Sequence, residues 1–526
     1  MTRVADILVD SLLNQGAELA FGVPGESYLA VLDAVYDRSD AFRFITARHE
    51  GGAAFMAEAY GKLTGRPGLC FVTRGPGVTN ASIGIHTARQ NSTPMIVFVG
   101  QVQSGDRDRE AFQELDYRQV FSGMAKWVTE LDNPDRAAEI VRRAYNVAMT
   151  GRPGPVIVAL PENVLRMETS VAPAARVQMP IPRVDATALE AAKTRFSAAS
   201  KPLIVVGGGG WTEEDRAAMA ALADDPKVPI MAAFRCQDLV DNRLPNYVGD
   251  AGVGMPASSR AALEEADLIV AVNVRFGEML TDAWSLFEGR AEMPEFIHLH
   301  LDPAEVNKIY AANIALCGQP VELLQALAEV PLAENWAASH RDAWLALRQT
   351  DGPNPVSMAA FCRSLNSALP EDAVVTNGAG NFAAWPSRHI DLGAGRRLIA
   401  PQSGAMGAGI PAAIAAKLIY PKRHVVCFAG DGDAQMTGAE MATADQYDAK
   451  PTILVLNNGA LGTIQTHQNR DYPDRVSGTV LKNVDFPTWA EACGFRGAHL
   501  NEGTETGAMA RLAATEQGLL IDIQNY

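Results

Sequence analysis

Short apolar runs bounded by glycine or proline recur along the chain, and longer segments with helical periodicity separate them. In the first third, the runs fall at residues 69–72, 95–100 and 156–160. Uninterrupted apolar runs between helices are typical of strands in a parallel sheet, because helices cover both faces of such a sheet. The pattern therefore predicts an α/β domain at the start of the chain.

The same alternation returns twice, after breaks at residues 167–182 and 352–355 that are rich in proline with alanine or glycine. The pattern thus predicts three doubly wound parallel-sheet α/β domains, over residues 1–166, 185–335 and 356–526. The later predicted strands are 203–206, 268–272, 296–299, 373–375, 425–428, 453–456 and 519–523.

Composition agrees with this organisation. At 526 residues the chain is too long for one core, and roughly 150 residues per domain gives about three domains. Its 45 Lys and Arg against 61 Asp and Glu give a net charge of −16. We therefore expect small-molecule ligands, with no nucleic-acid and no membrane partner. The six cysteines form no Cys-x-x-Cys pair and the N-terminus lacks a signal-peptide pattern, so the expectation is a cytoplasmic protein.

Two predicted strands of the last third end in glycine turns with polar side chains. Strand 425–428 leads into Gly430-Asp431-Gly432, and strand 453–456 leads into Asn458 and Ala460. Ligands of open α/β sheets bind at the carboxyl ends of strands, where glycine lets the backbone approach a phosphate. One carboxylate, one amide oxygen and one backbone carbonyl would supply half of the octahedral shell that Mg²⁺ requires.

Two simpler interpretations of these turns exist. Taken alone, Gly-Asp-Gly is more often a tight turn than a metal site, since both residue types favour turns. Asp431-Gly432-Asp433 also begins like a calcium loop, but Met436 stands where that loop needs glycine and Ala442 where it needs glutamate. The calcium interpretation fails, and the pair of strand ends favours the magnesium site over the plain turn.

Gly-Asp-Gly followed at this interval by Asn-Asn, in the third domain of such a chain, resembles the thiamine diphosphate signature of the acetolactate synthase and pyruvate decarboxylase superfamily. The resemblance covers essentially the whole chain, is closest to acetolactate synthase-like large subunits, and implies aminopyrimidine-binding, central and diphosphate-binding domains in that order. It also implies that Asp431, Asn458 and the Ala460 carbonyl bind Mg²⁺, which bridges to the diphosphate. Further implied cofactor contacts come from Gly430, Gly432, Asp433, Leu461 and Gly462.

Two more segments of the last third look like cofactor-binding segments of the family. In residues 402–407 the resemblance implies that the Gly404 carbonyl takes the aminopyrimidine amine and that Met406 supports the bent cofactor. Core packing alone would also explain a methionine at that position. The turn after strand 373–375 implies diphosphate contacts from Gly380 and Asn381.

Thiamine chemistry needs one carboxylic acid that drives the aminopyrimidine towards its imino tautomer. Residues 47–54 resemble the family motif that supplies it, and Glu50 is the predicted catalytic residue. By itself, a glutamate at a helix start can merely complement the helix dipole. In the family this glutamate reaches the cofactor of the neighbouring subunit, so the resemblance implies a homodimer at minimum, with a tetramer as the alternative.

Two loops of the first domain, residues 21–26 and 73–80, carry glycines after apolar runs and resemble cofactor-facing loops of the family. They add Gly25, Glu26, Thr73 and Asn80 to the predicted cofactor contacts. Ordinary turn chemistry would also account for both loops.

The segments 100–102 and 111–114 look like acetolactate synthase segments, which makes Gln113 a predicted catalytic residue and favours carbon–carbon bond formation. Lys126 stands where that group often has a lysine. The paired histidines typical of pyruvate decarboxylase are missing, and Thr73 stands where benzoylformate decarboxylase has a catalytic histidine. His467 replaces the tryptophan that selects the second oxo acid in acetolactate synthases, so it is either a catalytic proton shuttle or a structural histidine.

The middle domain bears on a second cofactor. Residues 207–210 are four glycines after a predicted strand, but Trp211 and Thr212 break the Gly-x-Gly-x-x-Gly spacing. Residues 275–278 resemble part of the FAD-binding segment of acetolactate synthases, without the pattern that follows it there. We therefore expect thiamine diphosphate and Mg²⁺, and favour a chain without FAD over one that binds it.

The leading prediction is a thiamine diphosphate- and Mg²⁺-dependent enzyme that decarboxylates a small 2-oxo acid and then forms a carbon–carbon bond. The alternative keeps the cofactor but ends in protonation, as in a non-ligating 2-oxo acid decarboxylase or a carbon–carbon lyase that releases an aldehyde. A regulatory subunit without catalysis is disfavoured, because it would have little use for Glu50 beside the metal residues.

Overall fold

The computed structural model describes residues 1–290, 292–349 and 356–524. They form three α/β domains, each built around a six-stranded sheet whose paired strands run parallel. The prediction of three doubly wound parallel-sheet domains is thus confirmed, and every predicted strand lies in or overlaps an observed one. None of the described helices combines the length and the apolar character that a membrane span requires.

The first domain has strands β1 (Thr2–Arg3), β2 (Leu19–Gly22), β3 (Arg43–Thr46), β4 (Gly68–Val72), β5 (Met95–Gln101), β6 (Trp127–Glu130), β7 (Pro155–Pro161) and β8 (Glu168–Thr169). Its helices are α1 (Val4–Asn14), α2 (Leu29–Tyr36), α3 (Glu50–Thr64), α4 (Gly75–Asn91), α5 (Tyr117–Phe121), α6 (Ala137–Met149) and α7 (Glu162–Arg166). The sheet order is β3-β2-β4-β5-β7-β6. The winding direction reverses between β2 and β4, so the loops after these two strands meet at the switch point where ligands bind.

The middle domain has strands β9 (Pro202–Val206), β10 (Ile230–Ala233), β11 (Tyr247–Ala251), β12 (Leu268–Val272), β13 (Glu295–His300) and β14 (Ile314–Cys317). Its helices are α8 (Ala186–Ala198), α9 (Glu213–Ala223), α10 (Ala257–Glu265), α11 (Pro320–Ala328) and α12 (Ala338–Leu347). The sheet order is β11-β10-β9-β12-β13-β14. Because α12 packs on α10 and β11, the packing of this domain continues beyond residue 335.

The third domain has strands β15 (Val374–Asn377), β16 (Arg397–Ile399), β17 (Val425–Gly430), β18 (Thr452–Asn457), β19 (Arg496–Leu500) and β20 (Leu519–Gln524). Its helices are α13 (Met358–Ala368), α14 (Ala384–His389), α15 (Gly409–Ile419), α16 (Asp431–Thr437), α17 (Met441–Gln446), α18 (Gly462–Asp471), α19 (Phe486–Ala492) and α20 (Thr506–Thr515). The sheet order β16-β15-β17-β18-β20-β19 puts the switch point between β15 and β17.

The first and third domains pack directly on each other. Helix α3 lies against α15, and one apolar cluster runs through both, with Ala53 and Ala57 on one side and Ile410 and Ile414 on the other. Small side chains on α3 let the two helices approach closely. Residues 170–185 carry no helix or strand, whereas the predicted second boundary at residues 352–355 lies outside the described residues.

Candidate active site

Loops at the carboxyl ends of β15, β17 and β18 lie side by side, and we name them the diphosphate edge (residues 377–381, 429–433 and 457–463). Asp431 begins α16 directly after β17 and is 3% exposed. Its Oδ2 accepts a hydrogen bond from the Ala460 amide at 3.2 Å, and Asn458 Oδ1 accepts one from the same amide at 3.1 Å. The two side-chain oxygens therefore converge beside one N–H group.

The oxygens at this point fit a hard divalent cation. Asp431 offers a carboxylate, Asn458 an amide oxygen and Ala460 a backbone carbonyl, which is the kind of mixed oxygen set that Mg²⁺ accepts beside phosphate oxygens. No group of three or more His, Cys, Asp or Glu side chains in the described residues is placed to hold a metal, so this candidate set has a single carboxylate. A cation at this edge would thus keep most of its charge for an anionic ligand.

Asn483 completes this arrangement, and the sequence analysis missed it. Its Nδ2 donates to Asp431 Oδ2 at 2.7 Å and to Asn457 Oδ1 at 2.8 Å. It lies 52 residues from Asp431, in a segment without regular structure that is tied back by the bridge between Ala460 and Val480. No strand end or glycine turn precedes Asn483, so nothing in the local pattern marks it.

The side chain of Asp433 packs behind the diphosphate edge. Its Oδ1 accepts hydrogen bonds from the amides of Ala379 at 3.2 Å and Gly407 at 2.7 Å. Its Oδ2 is buried without a hydrogen-bond partner, and burial raises the pKa of this carboxyl to about 7. A Cβ at Gly378 would lie 1.9 Å from Oδ1, so only glycine fits there. The side chain ties three loops together, which leaves the backbone of Asp433 as the part that faces the turn.

The other predicted residues of the third domain gather around the same turn. Asn381 donates its amide to Thr463 Oγ1 at 2.9 Å, which joins the first loop of the edge to α18. Gly404 has φ +68°, a left-handed conformation with open space where a side chain would stand. The turn is also tightly packed around its glycines. A Cβ at Gly432 would lie 2.7 Å from Leu461 Cδ2 and 3.6 Å from Met406 Cε, and one at Gly462 would lie 2.8 Å from Asn458 Nδ2. A Cβ at Gly380 or at Gly430 would lie 2.8 Å from the Phe382 ring.

The predicted acid lies at the switch point of the first domain, among loops that we name the pyrimidine edge (residues 22–28, 47–50, 73–80 and 111–114). Glu50 is the first residue of α3, and the His49 side chain caps this helix by accepting from the Gly51 amide. Glu50 Oε2 accepts a hydrogen bond from Asn80 Nδ2 at 2.9 Å. Two residues that were predicted separately are thus in direct contact.

The loops after β2 and β4 pack tightly beside Glu50. Thr73 Oγ1 lies 2.9 Å from Ser27 Oγ, and a Cβ at Gly25 would lie 2.5 Å from Thr73 Cβ. The Gln113 carbonyl accepts from the Gly75 amide at 3.0 Å, and Gln113 itself has φ +64°. This strained residue therefore lies on the same edge, and its catalytic role stays a prediction.

Glu26 carries a second carboxylate at the pyrimidine edge. It is 68% exposed, and its Oε1 lies 3.7 Å from Arg74 Nη1. Arg74 is nearly buried and also donates to Glu162 Oε2 at 3.0 Å. Because Arg74 is shared between two acids, Glu26 keeps freedom to meet a ligand or a second chain.

The large cavity beside the diphosphate edge does not reach the pyrimidine edge among the described residues. This cavity of about 1320 Å³ between the middle and third domains is lined at the diphosphate edge by Gly380, Asn381 and Asn458, and next to it by Gly404. Among the described residues, the first domain contributes only His86 and Gln90 to its walls. Glu50 and Thr73 are not among the residues that line this cavity.

His467 is also directed away from this cavity. The lining residues of α18 include Thr463, Thr466 and Asn469, whereas His467 is exposed and lies near Asp471. Ile464, one helical turn before His467, is 48% exposed on the same face. This face of α18 therefore looks outward from the chain.

Lys126 lies at the opposite end of the first sheet. It precedes β6, and its Nζ donates to the Thr150 carbonyl at 2.6 Å. Burial lowers the pKa of this lysine to about 8. In this chain the lysine is therefore remote from the carboxyl-end loops where the other predicted residues gather.

The glycine loop of the middle domain is packed against its neighbours. A Cβ at Gly209 would lie 2.2 Å from the Ser92 carbonyl, and the Gly209 carbonyl accepts from Asn273 Nδ2 at 2.7 Å. Trp211 Nε1 donates back to the Gly207 carbonyl at 2.8 Å. This loop therefore joins the middle domain to the end of α4.

Comparison with known families agrees with the geometry. Residues 2–120 match the thiamine pyrophosphate enzyme N-terminal TPP binding domain, residues 189–327 its central domain and residues 378–523 its C-terminal TPP binding domain. Fold and site thus define a three-domain enzyme that uses thiamine pyrophosphate, the cofactor also called thiamine diphosphate. The chain belongs to the thiamine pyrophosphate enzyme family, and within it the chain is acetolactate synthase-like.

Relatives that match over most of their length support the likeness to acetolactate synthase. The chain is 31% identical to the acetolactate synthase isozyme 2 large subunit of Escherichia coli, over 96% of this chain and 92% of that protein. It is 31% identical to the acetolactate synthase large subunit of Corynebacterium glutamicum, over 93% of this chain and 81% of that protein. It is 30% identical to the probable acetolactate synthase large subunit of Methanocaldococcus jannaschii, over 94% and 86%.

Proposed function

We propose that this enzyme decarboxylates a small 2-oxo acid and joins the remaining fragment to a second carbonyl compound. When bound, thiamine diphosphate supplies the electron sink for cleavage of the 2-oxo acid. Asp431, Asn458 and the Ala460 carbonyl would hold the Mg²⁺ that anchors it. The observation that carries the proposal is the convergence of Asp431 Oδ2 and Asn458 Oδ1 on the Ala460 amide, at the switch point of the third sheet.

The residues of the pyrimidine edge would carry out the proton transfers that activate the cofactor. Glu50 would share a proton with the pyrimidine ring nitrogen, while Asn80 fixes its carboxylate by the 2.9 Å hydrogen bond. Gln113 and Thr73 would meet the substrate from the same edge. The test is incubation with pyruvate and related 2-oxo acids, with thiamine diphosphate and Mg²⁺ present. We expect CO₂ and a hydroxy-ketone product, and no turnover with any of these acids would refute the proposal.

A homodimer would bring the two edges together, and the absence of Glu50 and Thr73 from the cavity at the diphosphate edge is consistent with this. Exposed apolar side chains near both edges support this, among them Ile464 and Val480 (78% exposed) by the diphosphate edge and Phe112 (71%) by the pyrimidine edge. Mixing two inactive variants, Glu50→Gln and Asp431→Asn, tests the arrangement. Random exchange should restore roughly a quarter of the wild-type sites, because half of the dimers then hold one intact site. No recovery after subunit exchange would contradict shared sites.

A second candidate is the non-ligating reaction that releases an aldehyde. Glu26 favours it, because this exposed acid stands at the same edge as Glu50 and would relay a proton from solvent water to the product. Product analysis separates the two, since ligation consumes two carbonyl compounds for each CO₂ and simple decarboxylation consumes one.

The cofactor set is tested directly. Chelation of Mg²⁺ should release thiamine diphosphate, because Asp431 and Asn458 would hold the cofactor through the metal. The absence of FAD stays a prediction, and the visible absorption spectrum of the purified protein checks it. A flavin absorption band in this spectrum would contradict the prediction.

A further inference from the structure

The segment that leads into Glu50 is tied to the third domain as well as to its own sheet, where the Ala47 amide donates to the Gly22 carbonyl at 2.9 Å. The Thr46 amide donates to Tyr447 Oη at 2.8 Å. The Arg48 and His49 amides donate to Glu440 Oε1 at 3.1 and 2.9 Å. We name residues 46–49 the anchored segment, and three of its four amides donate to side chains of the third domain.

The Glu440 carboxylate is buried and closely surrounded at this contact. It is 1% exposed, and Thr443 Oγ1 donates to its Oε2 at 2.6 Å. A Cβ at Gly52 would lie 2.3 Å from Glu440 Oε1, so the first turn of α3 needs glycine there to admit the carboxylate. A buried carboxylate is stable only when its oxygens are hydrogen-bonded, and here both are.

The consequence concerns where Glu50 stands. Two amides that immediately precede it are fixed to one buried carboxylate, so the start of α3 cannot shift without breaking both bonds. Asn80 then has only to orient the Glu50 carboxylate itself. A displacement of about 1 Å at a reacting group can cost about 10²-fold in rate.

We propose that Glu440 is a positioning residue for Glu50, and that it sets the distance from Glu50 to the cofactor through the anchored segment. The inference rests on the proposed function, because it takes Glu50 as the group that activates the cofactor. Glu440 touches neither the substrate nor the cofactor in this role. Its effect should therefore appear in cofactor activation and leave cofactor affinity unchanged.

The experiment compares Glu440→Ala with a matched control, Glu58→Ala. Glu58 is a buried carboxylate of α3, the helix that begins with Glu50, and its Oε1 accepts from Asn91 and Thr93. Its loss therefore also removes the acceptor of two donors, but far from the anchored segment. Two quantities are measured: hydrogen exchange of the residue 46–52 amides in the cofactor-free protein, and exchange of the C2 proton of thiamine diphosphate in the reconstituted enzyme.

For Glu440→Ala we expect loss of amide protection at Arg48 and His49 and C2-proton exchange slower by about 10²-fold, at unchanged cofactor affinity. Glu440→Gln, which keeps an acceptor oxygen, should restore most of both. Glu58→Ala should leave both near wild type. Equal losses in both alanine variants, or normal C2 exchange in Glu440→Ala, would overturn the positioning role. Wild-type enzyme that fails to speed C2 exchange would instead overturn the proposed function.

Discussion

The two edges of the active site differ in how completely a single chain builds them. At the diphosphate edge, the buried Asp431 carboxylate receives hydrogen bonds from Gly432, Ala460 and Asn483. At the pyrimidine edge, Glu50 is half-buried and accepts one side-chain hydrogen bond among the described residues, from Asn80. The candidate metal site is thus supported on several sides within the chain, whereas the surroundings of the Glu50 carboxylate stay open on one side.

The difference follows from what each edge must do. A metal site needs its ligands fixed before the cation arrives, so neighbouring amides hold the oxygens in place. An acid that must contact a cofactor ring needs a free face, and its backbone has to be fixed from behind instead. Glu440 supplies that support through the anchored segment, while the open face of Glu50 awaits the partner chain in the proposed dimer.

The largest effect should come from removing the acid. Glu50→Gln keeps the size and the contact with Asn80 but removes the shared proton, so kcat should fall by about 10² to 10⁴-fold. Cofactor affinity, measured by quenching of tryptophan fluorescence, should stay within a few-fold because the diphosphate edge is intact. If kcat stays near wild type, Glu50 is not the activating acid.

A smaller effect is expected at the diphosphate edge. Asn483→Ala removes the 2.7 Å hydrogen bond to Asp431 and should weaken Mg²⁺ binding by about 10 to 100-fold, as outer partners of metal ligands do. Isothermal titration of Mg²⁺ in the presence of thiamine diphosphate measures it. Gln468→Ala is the control, because Gln468 ties down the same segment through the Ser477 carbonyl without touching Asp431. Equal weakening in both variants would point to displacement of the segment instead.

Packing behind the diphosphate edge gives the next effect. In Gly378→Ala the new Cβ would clash with Asp433 Oδ1. This oxygen cannot move away without breaking the hydrogen bonds that it accepts from two amides. We expect a loss of about 1–3 kcal/mol in the free energy of unfolding, measured by urea unfolding. Gly105→Ala at the exposed loop of the first domain, where a Cβ meets nothing within 4 Å, should change it little. Similar losses at both positions would contradict the tight packing behind Asp433.

Sequence reasoning reached the strands and the residues directly after them. Asp431, Asn458 and Asn381 follow buried apolar runs, so parallel-sheet topology alone brings them to one edge. Asn483 and Glu440 were out of reach, because each acts across a long loop or between domains and no local pattern marks either. The outward direction of His467 was equally inaccessible, since it depends on which face of α18 packs inward. The inward direction of the Asp433 side chain was equally inaccessible, and the cofactor contact of this residue stays a prediction.

The smallest predicted effect separates two acids of one helix. Burial raises the pKa of the Glu58 carboxyl, and Lys62 offsets only part of this. The stability that protonation contributes is present below the unfolded value of roughly 4.3 and is lost as pH rises through the raised folded pKa. Glu58→Gln keeps an acceptor for Asn91 and Thr93 without the charge, so its melting temperature at pH 7 should exceed the wild-type value by about 2 °C. The gap should close as the pH approaches 4. A difference in melting temperature that stays constant between pH 7 and pH 4 would mean that Glu58 does not titrate in this range. Glu58 and Glu50 would then differ in exposure alone.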